Sequence, residues 1–579
     1  MNTNASKIRS LLHLASPTFQ LAALVLAVVL AAGCAPAAEE EPAEPGQPAV
    51  DLTAVAEEAA RVVDAELLRS HVATLSADDF EGRGPGSPGD EKTQQYLIEQ
   101  MQALGLEPGG PGGQWRQPFE MRGITADAPD TWTFRRNGET IAFDWWDEYI
   151  AGSGVQEDTA TLADAEVVFV GYGIQAPEYE WDDYKGADLT GKVLLMLNND
   201  PADSPDLFEG NRRLYYGRWT YKYEIAAAQG ADGAIIIHTT PSAGYPFQVV
   251  QSSWTGEQFQ LPAGDEARLQ VEAWLSEEAA RELVAFAGKD LDELVASAQT
   301  RELEPIPLGV TTSLTLRNEV RSVQTANVLG LLPGGERRDE VVLYTAHHDH
   351  LGVGEPDDEG DAIHNGALDN ASGTAQVLAI AKAFTTLPAR PDRSVLFAFV
   401  GAEEQGLLGS EYYAAHPTFP PGKIAAVVNI DGGNIWGRTA DITFVGYEKS
   451  DLGALVDEYA ARQDRVVKPD QFPDRGFYYR SDQFSLAKIG VPGVYLDTGL
   501  DFKDRPEGWG KEQIEAWEAE HYHQPSDEIT DEWTFEGMVE DARLSFHVGL
   551  DVAESAEMPA WVPGDEFEAA RKEALAAVE

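Results

Sequence analysis

Three short segments of the sequence are apolar almost throughout, and they limit the possible folds strongly. They lie at residues 341–346, 395–400 and 425–430, and a fourth such segment follows at 491–496. Segments that predict helices, 371–386 and 405–415, alternate with them. Strands that are apolar on both faces are typical of parallel sheets covered by helices on both sides. From about residue 306 we therefore predict an α/β fold, a three-layer αβα arrangement around a central mixed, mostly parallel sheet.

The part of the chain before residue 306 has a different character. Helices are predicted over 54–75 and 89–105, the second ending at Gly105 as a C-terminal cap. The run 84–89 matches a dinucleotide-binding fingerprint by its letters, but no strand precedes it and its two prolines lack amide donors, so we interpret it as a turn. Residues 156–305 predict short strands and loops, namely strands at 167–171 and 192–197 and a helix at 223–230 followed by a strand at 234–237. The one histidine of this region, His238, follows an apolar strand and is interpreted as structural.

Charge and the N-terminus limit the possible partners. The chain carries 98 acidic and 42 basic residues, a formal net charge of −56, and such a surface repels nucleic acid. Lys7 and Arg9 precede an apolar run at 21–30, which is shorter than the roughly 20 residues that a membrane-spanning helix needs. Cys34, the only cysteine, follows, and then comes a stretch rich in Pro, Ala and Glu that suits a disordered tether.

This N-terminus resembles a bacterial lipoprotein signal. The resemblance implies a signal peptide over 1–33, a lipid on Cys34 and a tether over 34–55. It also implies an exported lipoprotein anchored by its lipid to the outer membrane, on its periplasmic or surface face, because Ala35 rather than Asp follows the cysteine. A plain signal peptide with a chance cysteine is the alternative.

Candidate chemistry follows directly after the predicted buried strands. His347, His348, Asp349 and His350 follow the first strand, the pair Glu403–Glu404 follows the second, and Asp431 follows the third. Because functional sites of open α/β sheets lie at the carboxyl ends of the strands, these side chains should meet at one edge. Two further loops, 365–373 and 521–527, are polar, and by itself the first is equally typical of a turn with a helix N-cap.

Taken in order, these motifs resemble zinc-dependent metallopeptidase family 28 of clan MH. The matching motifs are His347-x-Asp349, the run 365–373 around Asp369, Glu403-Glu404, Asp431 and His523-x-Pro525-x-Asp527, with further family-like runs at 79–83 and 479–482. The family contains co-catalytic zinc aminopeptidases, and glutamate carboxypeptidase and glutaminyl cyclase are relatives. The runs 188–193 and 226–236 resemble the protease-associated (PA) domain inserted in exported peptidases. The resemblance spans roughly residues 60–550 and implies the phosphorylase/hydrolase-like fold of zinc exopeptidases.

The resemblance implies two Zn²⁺ ions per chain and a role for each motif residue. Asp369 would bridge the ions, with an implied cis peptide bond after it. The remaining ligands would be His347 and Asp431 for one ion, and Glu404 and His523 for the other. Glu403 would be the general base, Asp349 would orient the imidazole of His347, and Tyr522 would stabilise the tetrahedral oxyanion.

Some residues depart from the family pattern. His348 and His350 crowd the first motif and are additional ligand candidates, although His348 should point to the opposite face of the strand. Gln483 stands where relatives commonly have histidine, which weakens the transfer of a substrate contact there.

The leading functional interpretation is an aminopeptidase that hydrolyses N-terminal residues from peptide or protein substrates. The alternative with the same metals is a carboxypeptidase or dipeptidase, for which Arg480 could bind a substrate carboxylate. A glutaminyl cyclase and a non-catalytic binding protein are weaker readings, since the ligand set and the base are all present. The sequence does not predict the oligomeric state. The predicted domains, besides the signal peptide and the tether, are an N-terminal part of the catalytic domain (56–155), the inserted PA-like domain (156–305), the zinc peptidase catalytic domain (306–555) and a C-terminal tail (556–579).

Overall fold

The computed structural model describes residues 52–578 apart from 202–206, 211, 265, 355 and 357–359. The predicted signal peptide (1–33), Cys34 and almost all of the tether lie outside the described residues, so these assignments stay predictions. Among the helices that the structure does describe, none combines the length and apolar character needed to cross a bilayer.

The described strands and helices are numbered along the chain. The strands are β1 (Glu107–Pro108), β2 (Arg116–Asp127), β3 (Thr131–Arg136), β4 (Glu139–Asp144), β5 (Tyr149–Ser153), β6 (Thr159–Phe169), β7 (Gln175–Ala176), β8 (Trp181–Asp182), β9 (Val193–Leu197), β10 (Gly233–Ile237), β11 (Glu257–Gln260), β12 (Val271–Leu275), β13 (Ile306–Leu332), β14 (Arg337–His347), β15 (Gly352–Val353), β16 (Ile363–His364), β17 (Arg393–Val400), β18 (Ile424–Asn429), β19 (Asp441–Phe444), β20 (Val466–Pro469) and β21 (Gly493–Asp497). The helices are α1 (Leu52–Ala60), α2 (Ala65–Leu75), α3 (Pro88–Ala103), α4 (Trp219–Ala228), α5 (Thr240–Ala243), α6 (Phe247–Ser253), α7 (Glu277–Phe286), α8 (Leu291–Ala298), α9 (Gly373–Thr386), α10 (Leu408–Ala415), α11 (Leu452–Arg462), α12 (Gln483–Lys488), α13 (Trp509–Glu520), α14 (Glu536–Glu554) and α15 (Glu568–Ala576).

The part of the chain from residue 306 onward is built on a mixed sheet with a parallel centre, which we call the central sheet. Strands β17, β14, β18 and β21 lie side by side and parallel. The antiparallel strands β13 and β19 flank them, and β20 extends the sheet beyond β19. The predicted α/β fold with a mixed, largely parallel sheet is confirmed.

Each central strand is buried on both faces, which explains its apolar sequence. In β14, Val342 and Tyr344 belong to a large core that includes residues of α9 and α14, whereas Val341 and Leu343 belong to a smaller core beneath α10 and α12. Side chains of a strand alternate between its faces, so one apolar strand supplies both cores. Helices thus cover the sheet on both sides, giving the predicted three layers.

A second lobe, which we define as residues 131–316, contains most of the remaining strands. Its centre is the parallel set β6, β9, β10 and β12, with β5 antiparallel to β12. Its larger core takes side chains from Trp132 through Leu316. The lobe core therefore begins before residue 156, where the sequence predicts the insertion to start. The predicted domain boundaries and the PA-like assignment stay predictions.

One long strand joins the two parts. The first half of β13 pairs with β6 and β3 of the second lobe, residues 317–328 pair with β2, and its last residues pair with β17 of the central sheet. The second lobe and the central sheet thus share a continuous hydrogen-bonded backbone.

Several local predictions can be compared with the structure. The single helix predicted over 54–75 is wrong: α1 ends at Ala60, and Asp64 starts α2 by accepting a hydrogen bond from the Leu67 amide. The predicted stop at Gly105 is confirmed by its left-handed φ of +77° directly after α3, and Ser87 caps the start of α3 within the predicted turn. His238 is buried among aromatic rings, consistent with a structural role.

Candidate metal centre and active site

The candidate residues converge at the carboxyl ends of the central strands. His347 is the last residue of β14, Glu403 and Glu404 follow β17, and Asp431 follows β18. The loop before α9 adds Asp369, and the loop after α13 adds His523. The predicted meeting of these side chains at one sheet edge is what the structure shows.

The first group of candidate ligands is centred on His347. Its Nε2 atom lies 3.1 Å from Oδ1 of Asp369 and 3.2 Å from Oδ1 of Asp431. His347 is buried, and burial opposes its charged form, but the carboxylates of Glu403 and Asp431 outweigh burial and raise its pKa well above the usual value. This is the environment of an imidazole surrounded by anions.

The second group uses the other oxygen of the same aspartate. Nε2 of His523 lies 3.4 Å from Oδ2 of Asp369 and 3.1 Å from Oε2 of Glu404. This buried nitrogen makes no hydrogen bond of acceptable geometry with either carboxylate. The three atoms are therefore close together without being directed at one another, as expected for atoms that face a common central point.

These separations fit zinc. Two ligand atoms bound to one tetrahedral zinc at about 2.0–2.1 Å lie about 3.3 Å apart. The four distances within the two groups, 3.1, 3.2, 3.4 and 3.1 Å, agree with that value. Asp369 offers one oxygen to each group, so the donor set matches two neighbouring sites that share a carboxylate.

His350 is an additional histidine in the same cluster. It could be grouped with Asp369 and Glu404 as a ligand by proximity. Its Nδ1 atom, however, lies only 2.5 Å from Oε1 of Glu404, which is a hydrogen-bond distance and too short for two ligands of one zinc. His350 therefore holds one oxygen of Glu404 and leaves the other facing His523.

The two adjacent glutamates occupy different environments. Glu404 faces His350 and His523; burial and Asp369 oppose its ionisation, but the two histidines outweigh them and lower its pKa to about 2. Glu403 has an oxygen 4.0 Å from Nε2 of His347, beyond hydrogen-bond distance. Burial, reinforced by neighbouring carboxylates, raises the pKa of Glu403 well above its usual value. Glu403 is thus the carboxylate best suited to take up a proton.

Asp349 positions the glutamate loop. Its two carboxylate oxygens accept hydrogen bonds from the backbone amides of Glu403, at 3.1 Å, and Glu404, at 3.4 Å. Its carboxylate is 3.8 Å from Nδ1 of His347, which instead lies 3.2 Å from the Asp349 carbonyl oxygen. The backbone of Asp349, rather than its carboxylate, is the closer partner of the His347 imidazole.

Asp527 and Arg83 hold the neighbouring loops in place, a role that the sequence analysis did not predict for either residue. The carboxylate of Asp527 accepts from the amides of Leu368 and Asp369 at 2.9 and 3.1 Å. Arg83 is 1% exposed, and its guanidinium donates to carbonyl oxygens of four residues. These acceptors are Leu75, His348, Asn365 and Gly366. Both residues lie within motifs that resemble the family, which was the only signal for them.

The remaining candidates lie around the centre. Tyr522 is 37% exposed and its ring stacks on His523 at 3.9 Å between centroids. Arg480 is partly buried, with its guanidinium 5.4 Å from the ring of Phe477. His348 points to the other face, as predicted, where Nε2 lies 3.2 Å from Oδ1 of Asp90.

Two further features of the family-like motifs can be located. The peptide bond between Asp369 and Asn370 is cis, as the resemblance implies. Gln483 is buried and accepts a hydrogen bond from Asn429, which makes it part of the support of β18.

Comparison with known proteins gives one family and several relatives. Residues 327–545 match the model of peptidase family M28. The aminopeptidase NAALADL1 of Mus musculus is 33% identical over 130 residues, which is 22% of this chain and 16% of the relative. The aminopeptidase YwaD of Bacillus subtilis (strain 168) is 27% identical over 226 residues, 37% of this chain and 42% of the relative. The chain thus spans less than half of the length of these curated relatives.

Two solved structures are also similar. An aminopeptidase from Aneurinibacillus sp. strain AM-1 aligns with a TM-score of 0.49 and 20% identity over 87% of this chain and 97% of its own. A peptidase M28 precursor from Shewanella amazonensis SB2B aligns with a TM-score of 0.43 and 18% identity over 88% and 99%, respectively.

Proposed function

We propose that this chain, which carries a peptidase family M28 domain over residues 327–545, is a di-zinc aminopeptidase that releases the N-terminal residue of peptides. The observation that carries the proposal is the pair of ligand groups that share Asp369, each with the atom spacing of a tetrahedral zinc site. The two aminopeptidases among the relatives described above support the reaction class.

The residues that would hold the metals follow from the two groups. His347, Asp369 and Asp431 would bind one ion, and His523, Asp369 and Glu404 the other. When bound, two zinc ions polarise the scissile carbonyl group and lower the pKa of a water molecule. The three ligand carboxylates balance three of the four positive charges, so the centre retains the positive charge that this chemistry needs.

Glu403 would move the proton. Its carboxylate lies beside the first group without belonging to either, and its raised pKa favours proton uptake. It would take a proton from the attacking water and deliver it to the leaving amine. His350 and Asp349 support these separate roles of Glu403 as base and Glu404 as ligand. His350 holds the Glu404 carboxylate, and Asp349 holds the backbone amides of both glutamates.

Recognition of the substrate would use groups at the rim. The carboxylates of Glu403 and Asp431 would attract the free α-amino group of an N-terminal residue. The hydroxyl of Tyr522, on the ring that stacks against His523, would donate to the oxyanion as the carbonyl becomes tetrahedral.

The test is hydrolysis of aminoacyl-nitroanilides and their N-blocked counterparts by purified protein that lacks residues 1–34. We expect turnover of the free-amine series only, and its loss when zinc is chelated. Equal cleavage of the blocked series would reject the aminopeptidase and favour a hydrolase that does not need a free α-amino group. A protein that binds zinc but turns over neither series would fit a non-catalytic role.

Export and lipid anchoring form a separate proposal. The basic and apolar N-terminus that ends at Cys34 supports a signal peptide of 33 residues and a lipidated cysteine. Radiolabelled palmitate should label the protein expressed in a bacterial host, and Cys34→Ser should abolish the label. Label that persists in the variant would place the lipid elsewhere.

A further inference from the structure

Arg218 of the second lobe is a cation without a counterion. Its side chain is partly buried, and its Nε atom is fully buried with no hydrogen-bond partner. It takes part in no ion pair within the described part of the chain. Burial, together with the nearby Arg480, lowers its pKa to about 9. A guanidinium in this state is destabilised, and a bound anion would relieve it.

The segment that carries Arg218 is docked against the catalytic part of the chain. The amide of Arg213 donates to the carbonyl oxygen of Pro473 at 2.9 Å. The ring of Tyr215 lies 6.0 Å from that of Tyr479, the residue before Arg480. Contacts on both sides therefore bring the second lobe next to the loop that contains Arg480.

Arg480 and Arg213 complete a group of three guanidinium ions, which we call the arginine cluster. The aliphatic part of Arg213 packs against Gly476, and its guanidinium donates to carbonyl oxygens of Ser242 and Ala243. No carboxylate forms an ion pair with Arg213 or Arg480 among the described residues. Burial, with Arg480 acting in the same direction, lowers the pKa of Arg213 against the effects of Tyr245, Asp200 and Asp474. The nearby carboxylates therefore offset the positive charge of the cluster only in part.

This arrangement is unusual for the chain in which it occurs. With 98 acidic and 42 basic residues, an arginine can readily find a carboxylate. Arg212, next to the cluster on the same segment, pairs with Glu209 and Glu448. Arg475, close to Arg480 on the other side, pairs with Glu515 and Glu518. Three neighbouring arginines that form no ion pair with a carboxylate indicate a binding site for an anion from outside the chain.

The cluster lies beside the proposed active centre. The loop that contains Arg480 reaches the proposed metal centre, because the hydroxyl of Ser481 donates a hydrogen bond to Oδ2 of Asp431 at 2.6 Å. Against the effect of burial, Tyr522 and Glu403 raise the pKa of Arg480. Glu403 is the proposed donor of a proton to the leaving nitrogen. In a dipeptide that nitrogen and the C-terminal carboxylate are attached to the same carbon, so a carboxylate site must lie close to this base.

We propose that Arg218 and Arg480, supported by Arg213, bind a carboxylate of the residue that follows the scissile bond. The inference rests on the proposed aminopeptidase function and narrows its substrates to peptides with a negative charge at that position, dipeptides above all. The second lobe would then supply part of the specificity site. The carboxylate can be the C-terminal one or that of an acidic side chain, and the test separates these two sources.

The test compares three peptides whose first residue, Xaa, is the one that the nitroanilide series turns over fastest. They are Xaa-Gly, Xaa-Gly-amide and Xaa-Asp-amide, and kcat/KM is measured for each with the zinc-loaded protein. We expect Xaa-Gly to exceed Xaa-Gly-amide by about tenfold or more, as for a charge-assisted hydrogen bond. In Arg218→Gln and Arg480→Gln this ratio should fall towards one. Because the ratio is taken within one preparation, partial loss of folded protein cancels.

Arg212→Gln is the matched control, since it removes a neighbouring arginine that is already paired with Glu448. It should keep the wild-type ratio. A preference for Xaa-Asp-amide over Xaa-Gly-amide, lost in the same two variants, would assign the site to an acidic side chain. If neither Xaa-Gly nor Xaa-Asp-amide exceeds Xaa-Gly-amide in the wild type, or if the preference is unchanged in both cluster variants, the inference is overturned, while nitroanilide turnover leaves the proposed function intact. Absence of turnover with every free-amine substrate would overturn both.

Discussion

Asp527 should control metal affinity without being a ligand. Its two carboxylate oxygens accept from the amides of Leu368 and Asp369, and its carbonyl oxygen accepts from the amide of Ala367. Three consecutive amides are thereby fixed at the residue that belongs to both ligand groups. Changing Asp527→Asn keeps the shape but replaces one acceptor oxygen by an NH₂ group, which would face a backbone N–H.

The magnitude follows from the bonds involved. Loss of one hydrogen bond to a charged acceptor costs about 1.5–3 kcal/mol, and the bond that remains weakens because its acceptor becomes neutral. Released from its position, Asp369 would bind each zinc less well. Removing such an outer hydrogen bond typically reduces metal affinity by about 10- to 100-fold. We expect a loss of that size in both sites, since they share the carboxylate.

The assay is a zinc competition titration against a chromophoric chelator at fixed pH. Asp531→Asn is the matched control, because Asp531 is exposed and lies in the same loop. Asp527→Glu retains the charge and moves the oxygens, so it separates position from charge. Wild-type affinity in Asp527→Asn would refute the reasoning. If zinc affinity falls in Asp527→Asn but not in Asp527→Glu, the charge of residue 527 matters and the exact position of its oxygens does not.

Three further expectations concern turnover, stability and pH. Glu403→Gln should keep both metals, as measured by the same titration. It should lower kcat by about 10²–10⁴-fold, the usual contribution of a general base. Loss of metal in this variant would instead make Glu403 a ligand. Arg83→Lys keeps the charge, but a lysine cannot reach all four carbonyl oxygens. Urea unfolding should therefore show that the free energy of unfolding falls by about 2–4 kcal/mol. The exposed Arg61→Lys is the control and should lower it by less than about 0.5 kcal/mol. Burial lowers the pKa of His71 to about 4 in the folded protein, below its value of 6.5 in the unfolded chain. As the pH falls below 6.5, protons therefore bind the unfolded state first. The free energy of unfolding should fall by about 1.4 kcal/mol per pH unit from 6.5 towards 4. His71→Gln should flatten this part of the urea-midpoint profile, and an unchanged profile would contradict the shift.

The placement of the centre could be predicted because it depends on local rules. Parallel strands end at the same edge, so residues that follow three apolar strands had to meet there. The alternation along β14 also put His348 on the other face correctly. It could not place His350, because the strand ends at His347 and the chain then turns back towards Glu404.

Features that depend on distant contacts were not predictable. The helix break before Asp64 is hidden because Val62 and Val63 continue the apolar pattern. The early start of the second lobe depends on Trp132, whose indole donates to Thr312, 180 residues further along the chain. The approach of Arg218 to Arg480 arises in the same way, from the docking of two parts of the chain that no local pattern connects.

The strand shared by the two parts of the molecule limits how the second lobe can move. A lid that opens by rotation needs a hinge, usually a few loop residues that absorb large backbone changes. Here the connection is β13, which is hydrogen-bonded along residues 317–328 to β2 and continues into the central sheet. Rotation of the whole lobe would have to break that ladder. Substrate entry should therefore depend on rearrangements of loops and side chains around the metal centre, while the second lobe keeps its position relative to the central sheet.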